Sequence, residues 1–380
     1  MKNRLKNLRD KLGIKNTDAL LISSISNIIY LTGYNGFSNE KREAYLLITK
    51  NAQYIFTDSR YSIAIEEKVS DFILLKIGAQ KPFLKILEDL IKDENIVSLG
   101  IEAKSLTVIE YLAIKKIVKC NPVDSILQEA REKKEEIEIN SIKKACDIGD
   151  NAFKYILGKI NEGISEKEIA YYLENYIRQN GGEPSFRSIV AFEKNAAIPH
   201  HLTGDDVLKN KTGQYVLMDF GVKIDNYCSD MTRTIFFGTP SSTQILIYNT
   251  VKESQEKAIK LIISNYRQKN NTKINYHKST MINQKGISAS KIDKIARDYI
   301  ISMNYPSIPH SLGHGIGLDV HEYPSLSPKS KDFIQNGMIF SIEPGIYIPY
   351  IGGVRIEDLI AIRNNVPEIL THASKNLTII

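Results

Sequence analysis

The hydrophobic positions in the first third of the chain switch repeatedly between two periods. Short apolar runs at Ala19–Ile22, Ala44–Ile48, Tyr54–Thr57 and Phe72–Ile77 read as strands. Between them, Tyr61–Val69 and Pro82–Ile91 carry apolar residues at helical spacing. This alternation predicts an α/β layer with a small core of its own. The pattern changes around Asn121-Pro122. A charged stretch, Glu129–Glu138, leads into a long amphipathic helix with Ile142, Ala145, Cys146, Gly149, Ala152, Phe153 and Ile156 on one stripe. We place a domain boundary inside that charged connector, giving expected domains of 1–128 and 129–380. The next helix has a capping-box start at Ser165 and Glu168 and a stop at Gly181-Gly182.

From Phe186 onward strand patterns dominate. Tyr215–Val222 and Tyr227–Phe237 flank Asp225-Asn226, a turn signature for an antiparallel hairpin. Helical patterns return at Thr243–Ile263 and Ser288–Met303. The polar, Asn- and Lys-rich stretch Asn265–Lys285 between them has no clear period and is expected to be a surface loop.

Composition narrows the class. At 380 residues the chain exceeds what one core usually organises, in line with two domains. Hydrophobic content of 42% with 25% charged residues is that of a soluble globular protein. The net charge of +6 is spread over scattered lysines, with no basic stripe interleaved with aromatics, so no nucleic-acid partner is expected. Cys120, Cys146 and Cys228 form no CxxC pair and fit free thiols in a reducing compartment. MKNRLKNLRDKLG is polar with leucines at helical spacing, unlike a signal peptide, and no apolar run is long enough to span a bilayer. The expected location is the cytoplasm, away from membranes.

The candidate chemistry lies in five oxygen and nitrogen ligands in strand-like contexts. They are Asp219 and Asp230 in LMDFGVKIDNYCSDMTRT, His314 in HSLGHGIGLDVHE, Glu343 in FSIEPGIYIP and Glu357 in GGVRIEDLI. Side chains alternate along a strand, so both registers open to the first hairpin put Asp219 and Asp230 on one face. A two-residue turn makes them diagonal; a four-residue loop sets them directly opposite. Glu343 follows an apolar run and precedes Pro344-Gly345, where an unpartnered carboxylate is costly. Gly352-Gly353 suggests a tight turn joining the Glu343 and Glu357 strands into a second hairpin. Four carboxylates and one imidazole gathered together require cations. An oxygen-rich pair of sites suits Mn²⁺, Co²⁺, Fe²⁺ or Zn²⁺, and two cations imply hydrolysis by an activated water.

Five of the seven histidines fall in two short segments, His200-His201 and His310, His314 and His321. Glycines at 313, 315 and 317 disfavour a helix there and let backbone approach a ligand closely. Histidines that bind no metal are free for proton transfer or carbonyl polarisation. His277 and His372 lack such a context and are expected at the surface.

These blocks, in this order and spacing, resemble the pita-bread metallopeptidases, and among them the Xaa-Pro aminopeptidase and prolidase branch. SNIIYLTGYNGF and TDSRY resemble the N-terminal creatinase-like domain of that branch. The resemblance implies an α/β (α+β) chain: a creatinase-like α/β domain, then a catalytic domain with a curved antiparallel sheet covered by helices. It implies that Asp219 chelates one metal, that Asp230 and Glu357 bridge two, and that His314 and Glu343 hold the other. Two divalent ions, Mn²⁺ first among them, would be the cofactors. Glu343 would also take the water's proton, His200 would shuttle protons or steady the tetrahedral intermediate, and His321 would contact the scissile carbonyl. His310 would hydrogen-bond the substrate beyond the scissile bond, and Arg355 would orient a metal-ligating aspartate. The implied activity is release of an N-terminal residue before a penultimate proline, with proline-containing peptides as substrates. Restriction to Xaa-Pro dipeptides is the alternative, and a non-catalytic binding module is a third. A homodimer is implied, one subunit's N-terminal domain rimming the other's site. Phe192-Glu193 departs from the resemblance, since a small residue and a glycine often stand there. So does Asn265–Lys285, which is longer than the usual connection.

Overall fold

The protein is described from a computed structural model that covers residues 2–14, 17–38, 40–209, 213–271 and 286–380. The chain divides into two compact units, Met1–Arg131 and Glu132–Ile380. Among the described residues no helix is long and apolar enough to cross a membrane.

In the first unit one six-stranded sheet runs in the spatial order Ile73–Lys76, Gln53–Thr57, Ala44–Thr49, Ala19–Ile22, Ser98–Ile101 and Lys119–Pro122. Ala44–Thr49 pairs antiparallel with both neighbours, and the other pairings are parallel. Ala19–Ile22 and Ala44–Thr49 are buried at every position, which explains their unbroken apolar runs. The strand Lys119–Pro122 lies at the sheet edge and is half exposed, so it carries no apolar signature.

Glu129–Glu138, expected to be a connector, is largely helical. The helix Asp124–Glu132 ends in it and the helix Glu136–Leu157 begins in it. Glu135 and Glu138 form a reciprocal cap, and acidic residues in a first turn favour the helix N-terminus. The charge run therefore holds the end of one helix and the start of the next.

In the second unit Ile189–Phe192, Gln214–Phe220 and Met231–Phe237 form an antiparallel sheet with Gln214–Phe220 in the middle. A five-stranded antiparallel sheet runs in the order Glu322–Leu326, Gly313–Gly315, Ile339–Ile342, Asp358–Arg363, Val366–Ile369. Helices Glu136–Leu157 and Glu166–Gln179 pack Phe153, Ile156, Ile169 and Leu173 against Val190, Val216 and Met218. Helices Ser242–Asn271 and Ala289–Ser302 pack Ile262, Ile292 and Ile300 against Phe340, Ile342 and Ile360. Glu166–Gln179 begins with the expected Ser165–Glu168 capping box.

Asp225 and Asn226 have φ of +49° and +73°, a two-residue turn across which Ile224 pairs with Tyr227. The same register sets Asp219 opposite Thr232, so Asp219 is diagonal to Asp230. The ladder is interrupted at Gly221, where a Cβ would overlap the Ser229 carbonyl oxygen. That break leaves Asp230 outside the strand, just before Met231.

Two expectations are corrected. Gly352-Gly353 is not the turn of the second hairpin: both residues lie in the strand Gly352–Arg355, which pairs with Gly345–Ile348. Side chains are excluded there because the Tyr215 ring and the Ala196 carbonyl press on the backbone. The stretch expected to be a loop from Asn265 is helical as far as Asn271, because the Ser242 helix continues; the rest of it, 272–285, lies outside the described residues.

Candidate metal centre

Four of the five candidate ligands sit at or beside strand ends. Asp219 is next to last in Gln214–Phe220, and Asp230 precedes Met231–Phe237. Glu343 follows Ile339–Ile342 and Glu357 precedes Asp358–Arg363; Ile342 pairs with Asp358, so the two glutamates leave neighbouring strand ends. His314 lies in the middle of Gly313–Gly315, where a shift of register separates His314 from Gly315. The glycines here admit neighbouring strands: a Cβ on Gly315 would overlap the Tyr323 carbonyl.

Asp219, Asp230, His314, Glu343 and Glu357 line one cavity of about 530 Å³, together with His200, His310, His321 and Arg355. Ligand atoms of Asp230, His314 and Glu357 lie within 4.8 Å of one another. Glu343 Oε1 is 3.4 Å from His314 Nε2, and Asp230 Oδ2 is 3.7 Å from it. Asp219 stands outside that trio, with Oδ2 accepting from Arg355 Nη2 at 2.5 Å.

His314 Nδ1 lies 3.0 Å from the Gly315 carbonyl, which can only accept, so Nδ1 carries the proton. Burial, then the neighbouring His321, push its pKa down to about 4. Its Nε2 lone pair therefore faces two carboxylates with nothing of its own to donate. Burial, reinforced by mutual repulsion, raises Asp230 and Glu343 well above the carboxylate range and Glu357 to about 8. Asp219 Oδ1, Asp230 Oδ1 and Glu357 Oε1 are buried and meet no donor among the described residues. Orphaned oxygens of this kind are strongly destabilising unless protons or cations meet them. Four carboxylates and a neutral imidazole with a free Nε2 are a donor set for divalent cations, so the residues present fit metal.

The surrounding hydrogen bonds fix the ligands in place. Arg355, buried, donates to Asp219, to Thr232 Oγ1 at 3.0 Å and to Tyr347 Oη at 2.9 Å; Thr232 in turn donates to Glu357 Oε2 at 2.8 Å. His310 Nδ1 points at the Ser311 carbonyl, so Nε2 is an acceptor and Tyr347 donates to it at 2.9 Å. Burial lowers the His310 pKa to about 4 and raises that of Tyr347 to about 12.

Behind the ligands, fully buried Arg233 donates to the Glu357 carbonyl and to Asp358. Asp358 also accepts from Thr371 and Lys375. Gln255 donates to the carbonyls of Ile342 and Ile356, the residues before Glu343 and Glu357.

His200 and His321 are exposed, and His321 lies 4.2 Å from His314 between ring centroids. His201 turns the other way and meets Glu166. His372 is exposed, as expected, and His277 lies outside the described residues. Sequence reasoning missed Tyr347, Gln255 and the apolar lining residues Phe186 and Ile189. Tyr347 had one usable signal: a polar tip in the apolar strand Gly345–Ile348, which needs a buried partner.

The chain matches the family model of metallopeptidase family M24 over residues 140–364 and that of the creatinase/prolidase N-terminal domain over residues 4–133. It is 35% identical over 380 residues to an uncharacterized peptidase of Staphylococcus aureus strain MW2, covering 98% of this chain and 99% of the relative. Solved structures similar to it include the Xaa-Pro dipeptidase from Bacillus anthracis, at 32% identity and a TM-score of 0.87 over 100% of this chain and 99% of that one. The prolidase from Pyrococcus horikoshii OT3 matches at 32% identity and 0.84, over 99% of each chain. The X-Pro aminopeptidase from Thermotoga maritima MSB8 matches at 30% and 0.80, over 96% and 98%.

Proposed function

The chain belongs to metallopeptidase family M24, a metal-dependent hydrolase with a creatinase-type N-terminal domain and a pita-bread catalytic domain, and we propose that it cleaves the peptide bond before a penultimate proline. The observation that carries this reading is the divided lining of the cavity. Beside the carboxylates and histidines stand Phe186, Ile189, Pro199 and Val320. A bond preceding proline offers no N–H, so its recognition rests on the carbonyl oxygen and the apolar ring. The lining supplies partners for both.

Asp219 would hold one divalent cation, His314 and Glu343 a second, and Asp230 and Glu357 would be shared. Such cations, manganese foremost, would supply an acidified water and a polarised carbonyl when bound. Glu343 takes the water's proton. His321 donates to the scissile carbonyl oxygen, and His200 carries the proton toward the leaving nitrogen or steadies the tetrahedral centre. His310, whose Nε2 is bonded to Tyr347, meets the substrate beyond the scissile bond by exchanging that contact. Arg355 keeps Asp219 oriented. We read the protein as a cytoplasmic homodimer, a state that sedimentation equilibrium measures.

Release of the N-terminal residue from longer peptides is the first reading, in keeping with similarity to the Thermotoga maritima X-Pro aminopeptidase. Restriction to Xaa-Pro dipeptides is the second reading, favoured by similarity to the Bacillus anthracis dipeptidase. Turnover of an Xaa-Pro dipeptide and of an Xaa-Pro pentapeptide, each with Mn²⁺, separates them. Cleavage of both supports the aminopeptidase; cleavage of the dipeptide alone supports the prolidase. Turnover of neither refutes the proline-directed reading.

A further inference from the structure

We propose that Glu166 is a positioning residue that sets the active-site histidine His200 from behind, by clasping both ends of the segment that carries it. The proposal rests on the role given to His200 above. Glu166 opens the helix Glu166–Gln179 and is wholly buried. Its Oε1 accepts from the backbone N–H of Phe192 at 2.8 Å and from Asn195 Nδ2 at 2.9 Å. Its Oε2 accepts from the Gly204 N–H at 2.8 Å and meets His201 Nε2 at 2.8 Å. One carboxylate thus ties down the chain before His200, beside it and after it.

His200 itself has no side-chain hydrogen bond among the described residues, although it lines the cavity. Its placement therefore comes from its backbone, and the adjacent His201 is the nearest residue anchored by its side chain. Loop segments that carry chemistry must be held against their own conformational freedom. Four donors on one buried carboxylate do this with charge-assisted bonds. Neighbouring residues of the same type divide the work: His200 faces the cavity and His201 faces the anchor.

Glutamine at this position keeps the volume but turns one acceptor into a donor, so some of the four donors are left facing an amide N–H. In E166Q, kcat on an Xaa-Pro peptide should fall about 10- to 100-fold, the scale of a misplaced reacting group, with KM and calorimetric Mn²⁺ affinity little changed. In the H200A background the same substitution should have little further effect, because both act through one ring. If E166Q is too unstable to purify, His201 carries the test. H201L should lose turnover as E166Q does, and H201Q, which still donates to Glu166, should recover most of it. An equal loss from E166Q with and without His200, or unchanged kcat in E166Q and H201L, overturns the proposal. The ring is also read without turnover, from the ¹³C-labelled imidazole resonance of His200, assigned with H200A. That resonance should shift in H201L and stay near the wild-type position in H201Q. An unshifted resonance overturns the clasp, whereas a shifted one in a protein inactive on all proline peptides overturns only the substrate reading.

Discussion

At the scale of single residues, burial decides what each charged group does. Asp230 is nearly inaccessible and holds an oxygen that meets no donor among the described residues, which suits it to the cation site proposed above. Asp230→Ala should lower bound metal and weaken metal affinity by at least about tenfold, since even residues behind the ligands have effects of that size. His321, exposed beside His314, should behave differently. His321→Ala should keep its metal and lose about 10²- to 10⁴-fold in turnover, the range of a lost proton donor. Metal analysis alongside kcat checks both, and loss of metal in proportion to activity in His321→Ala would contradict the division of roles. Glu193 shows how a departure becomes legible. Its φ of +48° lies in the left-handed region that favours glycine, the residue that the family resemblance leads one to expect there. Burial raises its pKa to about 7, against the opposing pull of a backbone hydrogen bond from Tyr215.

At the scale of elements, ligand spacing depends on how strand ends are pinned. Arg233 and Asp358 are a fully buried ion pair that reaches the Glu357 carbonyl, and Gln255 joins the strands before Glu343 and Glu357. Removing one partner of such a pair leaves an uncompensated charge. Asp358→Ala should therefore destabilise the protein by about 3–5 kcal/mol in urea unfolding. A loss below about 1 kcal/mol would place this pair with solvent-screened ones. The first hairpin was legible because Asp225-Asn226 specifies a turn and the period of two does the rest. The second was misread because Gly352-Gly353 answers to Tyr215 and Ala196, distant in sequence, rather than to a turn. Likewise Asn265–Asn271 is helical without a periodic pattern of its own, as an extension of Ser242–Asn271.

At the scale of the whole molecule, the buried carboxylate cluster couples stability to pH. In metal-free protein Glu357 has its pKa raised from 4.5 to about 8, by burial first and Asp219 second. A raised carboxyl contributes stability that is full below its unfolded value and lost as pH rises through the folded one. His310, lowered from 6.5 to about 4, has the opposite sign: its contribution is full above 6.5 and lost as pH falls toward 4. Above pH 6.5 only the first effect operates, so the metal-free Tm should fall as pH rises from 6.5 through 8. Saturating Mn²⁺ should flatten or reverse that slope, because cations replace the protons on the ligands. A metal-free Tm that rises over this range would contradict the buried-carboxylate account. The sequence by itself determined the alternation of strands and helices in the first unit, a hairpin at Asp225-Asn226 with Asp219 and Asp230 on one face, and the candidate ligand set, since each is written in local period, turn chemistry or residue type; which of the two open registers the hairpin takes was decided by the structure. Only the tertiary structure decided that the ligands share one cavity, that Tyr347 and Gln255 belong to its support and that Glu166 anchors the His200 segment. Those relations join residues far apart in the chain, and burial and pairing at a distance leave no local pattern to read.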